Sequence, residues 1–292
     1  MAAWSDGYWE SNDGLRLHYR DYPGSDDRPP ILCIPGLTRN ARDFEGVAER
    51  LSPAWRLICV DLRGRGESSY AKDPMSYAPL TYLQDLEALL AQLKLDSFIA
   101  FGTSLGGLLT MLLALNDRQR IAGAVINDIG PVLEAQGIDR IKSYVGKTQS
   151  WPTWMHAARY FREALGEVFP RWALDRWLVY AKRVCKVNAN GRIIFDYDMR
   201  IAEPFKGTGG VSDFDPWIAF RALAGRPLLV VRGEESDLLT RGTLAEMSAE
   251  MPLMQSVTVP QVGHAPTLDE PEAAEAIDKF LDRLKADRLK KR

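Results

Sequence analysis

An α/β fold built on a mostly parallel sheet is what three features of this 292-residue chain predict. Short runs rich in Ile, Val and Leu recur along it, stretches with helical spacing separate them, and the two alternate. Strand–helix alternation of that kind implies a parallel sheet with helices on both faces. The composition, 46% hydrophobic and 26% charged, suits one large domain or a domain carrying an insertion.

Residues 15–20 (Leu-Arg-Leu-His-Tyr-Arg) alternate apolar with polar and predict a half-buried strand, paired with another near Tyr8. The runs 31–34, 57–60, 98–101, 121–126 and 228–231 are short and continuously apolar, as strands covered on both faces are. A short alternating run, 256–259, predicts the last strand. Helical patterns fill 44–51, 81–93, 105–115 and 240–249. In 81–93, Leu83, Leu86, Leu89, Leu90 and Leu93 recur at helical spacing. The chain ends in a further helical pattern, 271–284, with Pro271 suited to its first turn.

Residues 131–216 break this order. No buried strand is read there, but helical patches at 153–165 and 171–186 are separated by Pro170 and followed by Asn188-Ala189-Asn190-Gly191. Trp151, Trp154, Trp172, Trp177 and Trp217, five of the eight tryptophans, lie within the segment or at its end. Either it is a second helical layer on the main core, or it is an insertion whose aromatic underside covers a pocket. Its place between two core strands favours the insertion. The expected organisation is a core of residues 1–130 and 217–292 with an insertion at 131–216.

Charge excludes some partners. With 37 basic and 39 acidic side chains the net charge is -2, which lacks the basic field that nucleic acid binding needs. The basic run 285–292 reads as a solvated terminus. No signal-peptide pattern and no apolar run of about 20 residues is seen, so a cytoplasmic protein without a membrane span is expected. Cys33, Cys59 and Cys185 form no paired motif and read as buried thiols rather than a disulfide or zinc scaffold.

The chemistry concentrates at Gly102-Thr103-Ser104-Leu105-Gly106-Gly107, which follows a predicted strand and opens a predicted helix. G-x-S-x-G in that setting describes a nucleophile elbow: the tight turn lifts the serine hydroxyl above the sheet edge, and the glycines leave room for crossing backbone. A serine needs a base. The chain has three histidines. His18 and His156 read as packing or surface residues, whereas His264 follows Gly263 on a loop after the last strand and can reach the elbow. The base in turn needs a carboxylate. Asp237, across the turn from strand 228–231, completes the order Ser…Asp…His and is the expected acid. Asp128, at the end of strand 121–126, is its rival, while Glu234 and Glu235 read as solvated loop charges. For the oxyanion, backbone N–H donors are expected from Leu105, at the helix start, and Leu37, in the loop Pro35-Gly36-Leu37-Thr38-Arg39-Asn40. The segment Asp61-Leu62-Arg63-Gly64-Arg65-Gly66 lacks the spacing of a phosphate-binding loop.

With these residues in hand, the chain resembles the α/β-hydrolase family over essentially its whole length. The elbow, the Pro35-Gly36 loop, the segment from Asp61 to Ser68, the turn Arg232-Gly233-Glu234-Glu235-Ser236-Asp237 and Gly263-His264 all stand in that family's order. The resemblance implies an α/β-hydrolase fold, with an eight-stranded, mostly parallel sheet and a helical cap inserted after strand six. It implies hydrolysis of a small or medium carboxylic ester or lactone through an acyl-enzyme, with no metal or organic cofactor. Pro35 departs from the pattern, since many relatives have a histidine before the glycine. A C–C bond hydrolase is the second enzyme reading, weakened because Thr103 and Ala265 stand where such relatives often carry Asn and Trp. A ligand receptor retaining the fold is the non-enzyme alternative. The expected partner is a small acyl substrate, apolar or aromatic, with Trp151, Trp154 and Arg39 as candidate pocket residues.

Overall fold

The structure, a computed structural model, describes residues 2–205 and 215–291. Part of the expected insertion, residues 206–214, and Arg292 of the basic terminus lie outside the described residues. The chain begins with β1 (Ser5–Glu10), β2 (Arg16–Tyr22), β3 (Ile31–Ile34), α1 (Glu45–Leu51), β4 (Leu57–Asp61) and α2 (Pro79–Gln92). It continues through β5 (Phe98–Thr103), α3 (Leu105–Asp117) and β6 (Ile121–Asn127). Next come α4 (Ala135–Tyr144), β7 (Ser150–Trp151), α5 (Trp154–Leu165), α6 (Leu174–Val184), β8 (Cys185–Val187) and β9 (Ile193–Phe195). It closes with α7 (Pro216–Arg221), β10 (Leu228–Gly233), α8 (Arg241–Glu250), β11 (Gln255–Val259) and α9 (Pro271–Lys291).

Eight strands form one sheet in the order β1-β2-β4-β3-β5-β6-β10-β11. β1 and β2 make an antiparallel hairpin at one edge, β2 meets β4 antiparallel, and every later pairing is parallel. Successive side chains on a strand point to opposite faces, so each apolar run feeds two cores. Ile31, Cys33, Ile99, Phe101, Leu229 and Val231 pack on one face with Val47 and Ala48 of α1 and Ile277 and Phe280 of α9. Leu32, Ile34, Ala100, Ala124 and Ile126 pack on the other with Leu86 and Leu89 of α2 and Leu109 and Leu113 of α3. α3 is buried nearly all round, which is why its sequence lacks a polar face. The predicted core strands and helices stand within a few residues of the observed ones.

The segment between β6 and α7 holds two structures that periodicity did not foresee. α4 (AQGIDRIKSY) is mostly polar, with Gly137 its one buried residue; Ala135, Ile138, Ile141 and Tyr144 do recur at helical spacing, a short stripe that the reading of the sequence passed over. β7, β9 and β8 form a small antiparallel sheet, contrary to the expectation of no strand there. The Asn188–Gly191 turn makes the β8–β9 hairpin. The Asn188 side chain accepts from the N–H groups of Asn190 and Arg192, and Gly191 takes φ +71°. Thr153 caps α5, its side chain accepting from the His156 N–H. The aromatic rings mostly pack on each other: Trp151 sits 4.9 Å from Tyr160 and 5.3 Å from Phe195, and Phe169 stacks on Trp172 at 4.0 Å. Arg42 ties this segment to the sheet by donating to the buried Asp196 carboxylate at 2.5 Å and to the Arg183 carbonyl at 2.9 Å.

Candidate active site

Every element of the site leaves the sheet at the carboxyl end of a parallel strand. β5 runs into the elbow, where Ser104 takes φ 51° and ψ -116°, a backbone region costly for a residue with a Cβ. The surrounding glycines are required by contact. A Cβ on Gly102 would lie 2.3 Å from the Gly106 carbonyl oxygen, and one on Gly106 would lie 2.0 Å from that of Ile34. The sharp turn is therefore packed directly against β3 and its own helix. It also leaves the N–H of Leu105 in the first turn of α3, among the donors an α-helix does not satisfy internally.

The Ser104 hydroxyl donates to His264 Nε2 at 2.9 Å, and His264 Nδ1 donates to Asp128 Oδ2 at 2.8 Å. The imidazole is mostly buried and Asp128 wholly so. Asp128 is fixed on every side: its Oδ1 accepts from the Gly233 N–H at 2.8 Å, its Oδ2 accepts from the Ser236 hydroxyl at 2.7 Å, and its own N–H donates to the Val231 carbonyl.

Asp237, the acid favoured by chain order, is not the partner of His264. It accepts two hydrogen bonds from Arg140 of α4, at 2.5 and 2.9 Å. Burial opposes its charge, but the guanidinium outweighs it and holds the carboxyl below its ordinary pKa. The reason lies in sheet order. β6 and β10 are hydrogen-bonded neighbours with Asn127 opposite Val231, so both acids leave the same edge side by side. Asp128 follows its strand immediately, whereas Asp237 stands four residues beyond β10, after a turn whose Ser236 itself supports Asp128. Glu234 is occupied elsewhere, accepting from the Gln261 N–H at 3.0 Å.

The loop after β3 lies against the elbow: a Cβ on Gly36 would be 3.7 Å from that of Ser104. Leu37 lines the same cavity as Ser104 and His264. Two residues that motif reading passed over shape these loops. Buried Arg65 donates to the Leu37 carbonyl at 2.5 Å, and to the Arg63 carbonyl and Tyr82 hydroxyl. Asn127 donates to Thr103 Oγ1 and to the Pro266 carbonyl, holding the loop that carries His264. Their signals, an arginine between two glycines and a polar residue at the end of an apolar strand, were present but unspecific.

The cavity measures about 380 Å³, toward the small end of the roughly 300–1,000 Å³ usual for small-molecule sites. Its walls come from the loop after β3, from α4, α5 and α6, and from the His264 loop. Neither Trp151 nor Trp154 lines it, correcting the expectation: Trp151 is taken up by the aromatic cluster with Tyr160, Phe161 and Phe195. Tyr160, Phe161, Phe169, Tyr180 and Phe195 supply the aromatic wall instead. Arg39 does line it. Its Nε and Nη2 grip Asp43 at 2.6 Å each and its Nη1 donates to the Tyr180 hydroxyl at 2.5 Å. Burial opposes its charge, and Asp43 with Tyr180 raises its pKa nonetheless.

The other two histidines serve elsewhere. His156 stands at the start of α5 beside Thr153, with Nδ1 2.9 Å from its hydroxyl. His18 is buried between Asp61 (2.7 Å) and Asp6 (3.0 Å).

Residues 31–277 match the family model described as the alpha/beta hydrolase family. The chain belongs to the α/β-hydrolase family. This α/β-hydrolase is 57% identical to one from Novosphingobium aromaticivorans whose crystal structure covers 97% of this chain and 99% of its own, with a TM-score of 0.93. It is 34% identical over 263 residues to a 3-hydroxybutyrate-oligomer hydrolase of Cupriavidus necator, covering 88% of this chain and 89% of the relative. It is 28% identical to a 2-(acetamidomethylene)succinate hydrolase of Mesorhizobium japonicum, over 87% and 88% of the two chains. No helix among the described residues is long and apolar enough to cross a membrane.

Proposed function

We propose that this α/β-hydrolase cleaves small carboxylic esters through an acyl-enzyme, with Ser104 as nucleophile, His264 as general base and Asp128 as the acid that orients it. The observation that carries this reading is the unbroken relay from Asp128 through His264 to Ser104, open to a cavity of substrate size. With a carboxylate accepting from Nδ1, the hydrogen is fixed on that nitrogen and Nε2 is left to take the serine proton. Ser104 then attacks the ester carbonyl. The amides of Leu37 and Leu105 receive the developing oxyanion, each worth about 100- to 1,000-fold in rate if removed. The His264 imidazolium, stabilised by Asp128, protonates the leaving alcohol. Water activated by His264 releases the acid.

The segment between β6 and α7 acts as a cap that closes the cavity from above and selects the substrate. Small esters of hydroxy acids fit both the cavity and the relative from C. necator, whose name specifies oligomers of 3-hydroxybutyrate. Such oligomers, like the succinate derivative of the M. japonicum relative, carry free carboxylates.

The test is turnover of p-nitrophenyl acetate and butyrate and of 3-hydroxybutyrate dimers, with Ser104→Ala alongside. Turnover that disappears with the serine hydroxyl supports the reading. Absence of serine-dependent turnover on every ester overturns it and favours a binding protein on the same fold.

A further inference from the structure

The cavity carries more positive charge than acyl transfer at Ser104 uses. Three arginines, Arg39, Arg140 and Arg183, reach its walls against two carboxylates, Asp43 and Glu167, and most of the remaining lining is aromatic or aliphatic. Arg39 is fully committed to Asp43 and Tyr180, as described above. Arg183 lies between two core carboxylates, 3.6 Å from Glu45 and 3.5 Å from Asp269.

Arg140 is placed differently. Asp237 takes only one edge of its guanidinium, the Nε/Nη2 side. Among the described residues no second carboxylate stands within ion-pair distance of it. A guanidinium is a planar fork with two usable edges, so one carboxylate can hold it side-on while another is received end-on. Tyr144, one turn further along α4, lines the cavity beside it, its hydroxyl within hydrogen-bonding reach of the Arg140 guanidinium and under the charge of Arg39 as well. Burial pushes the Tyr144 pKa up, so at neutral pH the hydroxyl is protonated and can donate.

The Arg140–Asp237 pair is itself only partly buried, with side chains 27% and 20% exposed. An ion pair in such a setting contributes little to stability. What it does provide is orientation: the Asp237 fork restricts the rotamers of Arg140 and so lowers the entropy lost when a ligand binds. In a mainly apolar cavity, a few fixed polar groups of this kind set the ligand's orientation.

We propose that Arg140, positioned by Asp237 and assisted by Tyr144, binds a carboxylate of the substrate, so that the enzyme selects esters of hydroxy acids that carry a free carboxyl group. The inference rests on the ester-hydrolase reading of Ser104 and goes beyond it by naming the specificity-determining residue. It also replaces the expectation of a purely apolar or aromatic ligand.

The test compares the 3-hydroxybutyrate dimer as its free acid with the same dimer as its terminal primary amide, products being quantified by mass spectrometry. In the wild type kcat/KM for the acid exceeds that for the amide by tenfold or more, the difference lying in KM. Arg140→Gln brings the ratio near one, Arg140→Lys restores part of it, and Asp237→Asn raises KM for the acid with little change in kcat. Because the readout is a ratio within each variant, partial loss of folded enzyme cancels. An equal ratio in the wild type and Arg140→Gln, or a wild-type preference for the amide, overturns the proposal. If the wild type cleaves neither dimer, the ester-hydrolase reading stands or falls on the p-nitrophenyl esters, and calorimetric titration of 3-hydroxybutyrate into Ser104→Ala decides the carboxylate site separately. Binding weakened tenfold by adding Arg140→Gln, or Arg140→Lys should the former not fold, supports it. Undiminished binding, or none to Ser104→Ala, overturns it.

Discussion

A carboxylate that orients a histidine must be held as rigidly as the ring it serves, and Asp128 satisfies that condition. It is buried, both its oxygens are occupied, and its own N–H is bonded to β10. Replacing it by Asn keeps the shape but lets the imidazole adopt the wrong tautomer, so kcat should fall by about 10,000-fold. Asp237→Asn should leave kcat on p-nitrophenyl butyrate within about tenfold of wild type, because in this reading its charge serves Arg140. Steady-state kinetics of the two variants side by side check this, and the reverse ranking would return Asp237 to the relay. Ser104 and His264 were legible because an elbow pattern and a scarcity of histidines leave few choices. Which carboxylate meets His264 was not, because two aspartates emerge from adjacent parallel strands and only side-chain reach separates them. The tryptophans misled for a related reason: a large ring fills the core of its own segment as readily as it walls a cavity.

At the level of elements, the site depends on how closely β3, β5 and α3 approach. With the Ile34 carbonyl oxygen only 2.0 Å from the position of a Cβ on Gly106, Gly106→Ala must push α3 away from β3. We expect a loss of about 1–3 kcal/mol in stability, read by urea denaturation, together with a fall in kcat as the Leu105 amide shifts. The loop bearing Leu37 depends on Arg65 in the same way. Arg65→Met removes a donor to three acceptors, two of them buried, and should lower kcat by tenfold or more with KM less affected, as steady-state kinetics will show. The core strands were readable because strands buried on both faces are continuously apolar. α4 was passed over because its apolar stripe is short and set among polar residues, and the small sheet because strands of two or three residues leave no period to detect.

Across the whole molecule, charged pairs join distant parts of the chain, and two of them make stability respond to pH or to local opening. Burial works against the His18 imidazolium, but Asp61 and Asp6 outweigh it and raise its pKa above the ordinary histidine value. Its proton is therefore held more tightly in the folded state. The stability this adds is fully present below the unfolded pKa, about 6.5, and is lost as pH rises through the higher folded value. Melting temperatures from pH 6 to 9 should show the gap between wild type and His18→Gln narrowing as pH rises, and a constant gap would contradict the linkage. Arg42→Met leaves the buried Asp196 to Lys186 alone, 3.0 Å from its other oxygen, and should cost about 1–3 kcal/mol where β8 and β9 meet the core. Hydrogen exchange should then accelerate in residues 183–196 before it does in the central strands.

The adjacency of β6 and β10 carries a consequence for how this protein can be remodelled. The hundred residues between them leave the sheet and return to the next strand along, so whatever is threaded through that gap leaves the register of the remaining strands untouched. The serine, the imidazole and the proposed donors to the oxyanion belong to one side of that division and Asp128 stands at its border, directly after β6, while the guanidinium proposed to sort acids from neutral esters belongs to the other. Exchanging residues 131–215 for a counterpart from a related enzyme, with Asp128 kept, should therefore change what is accepted and leave the proposed bond-breaking apparatus standing.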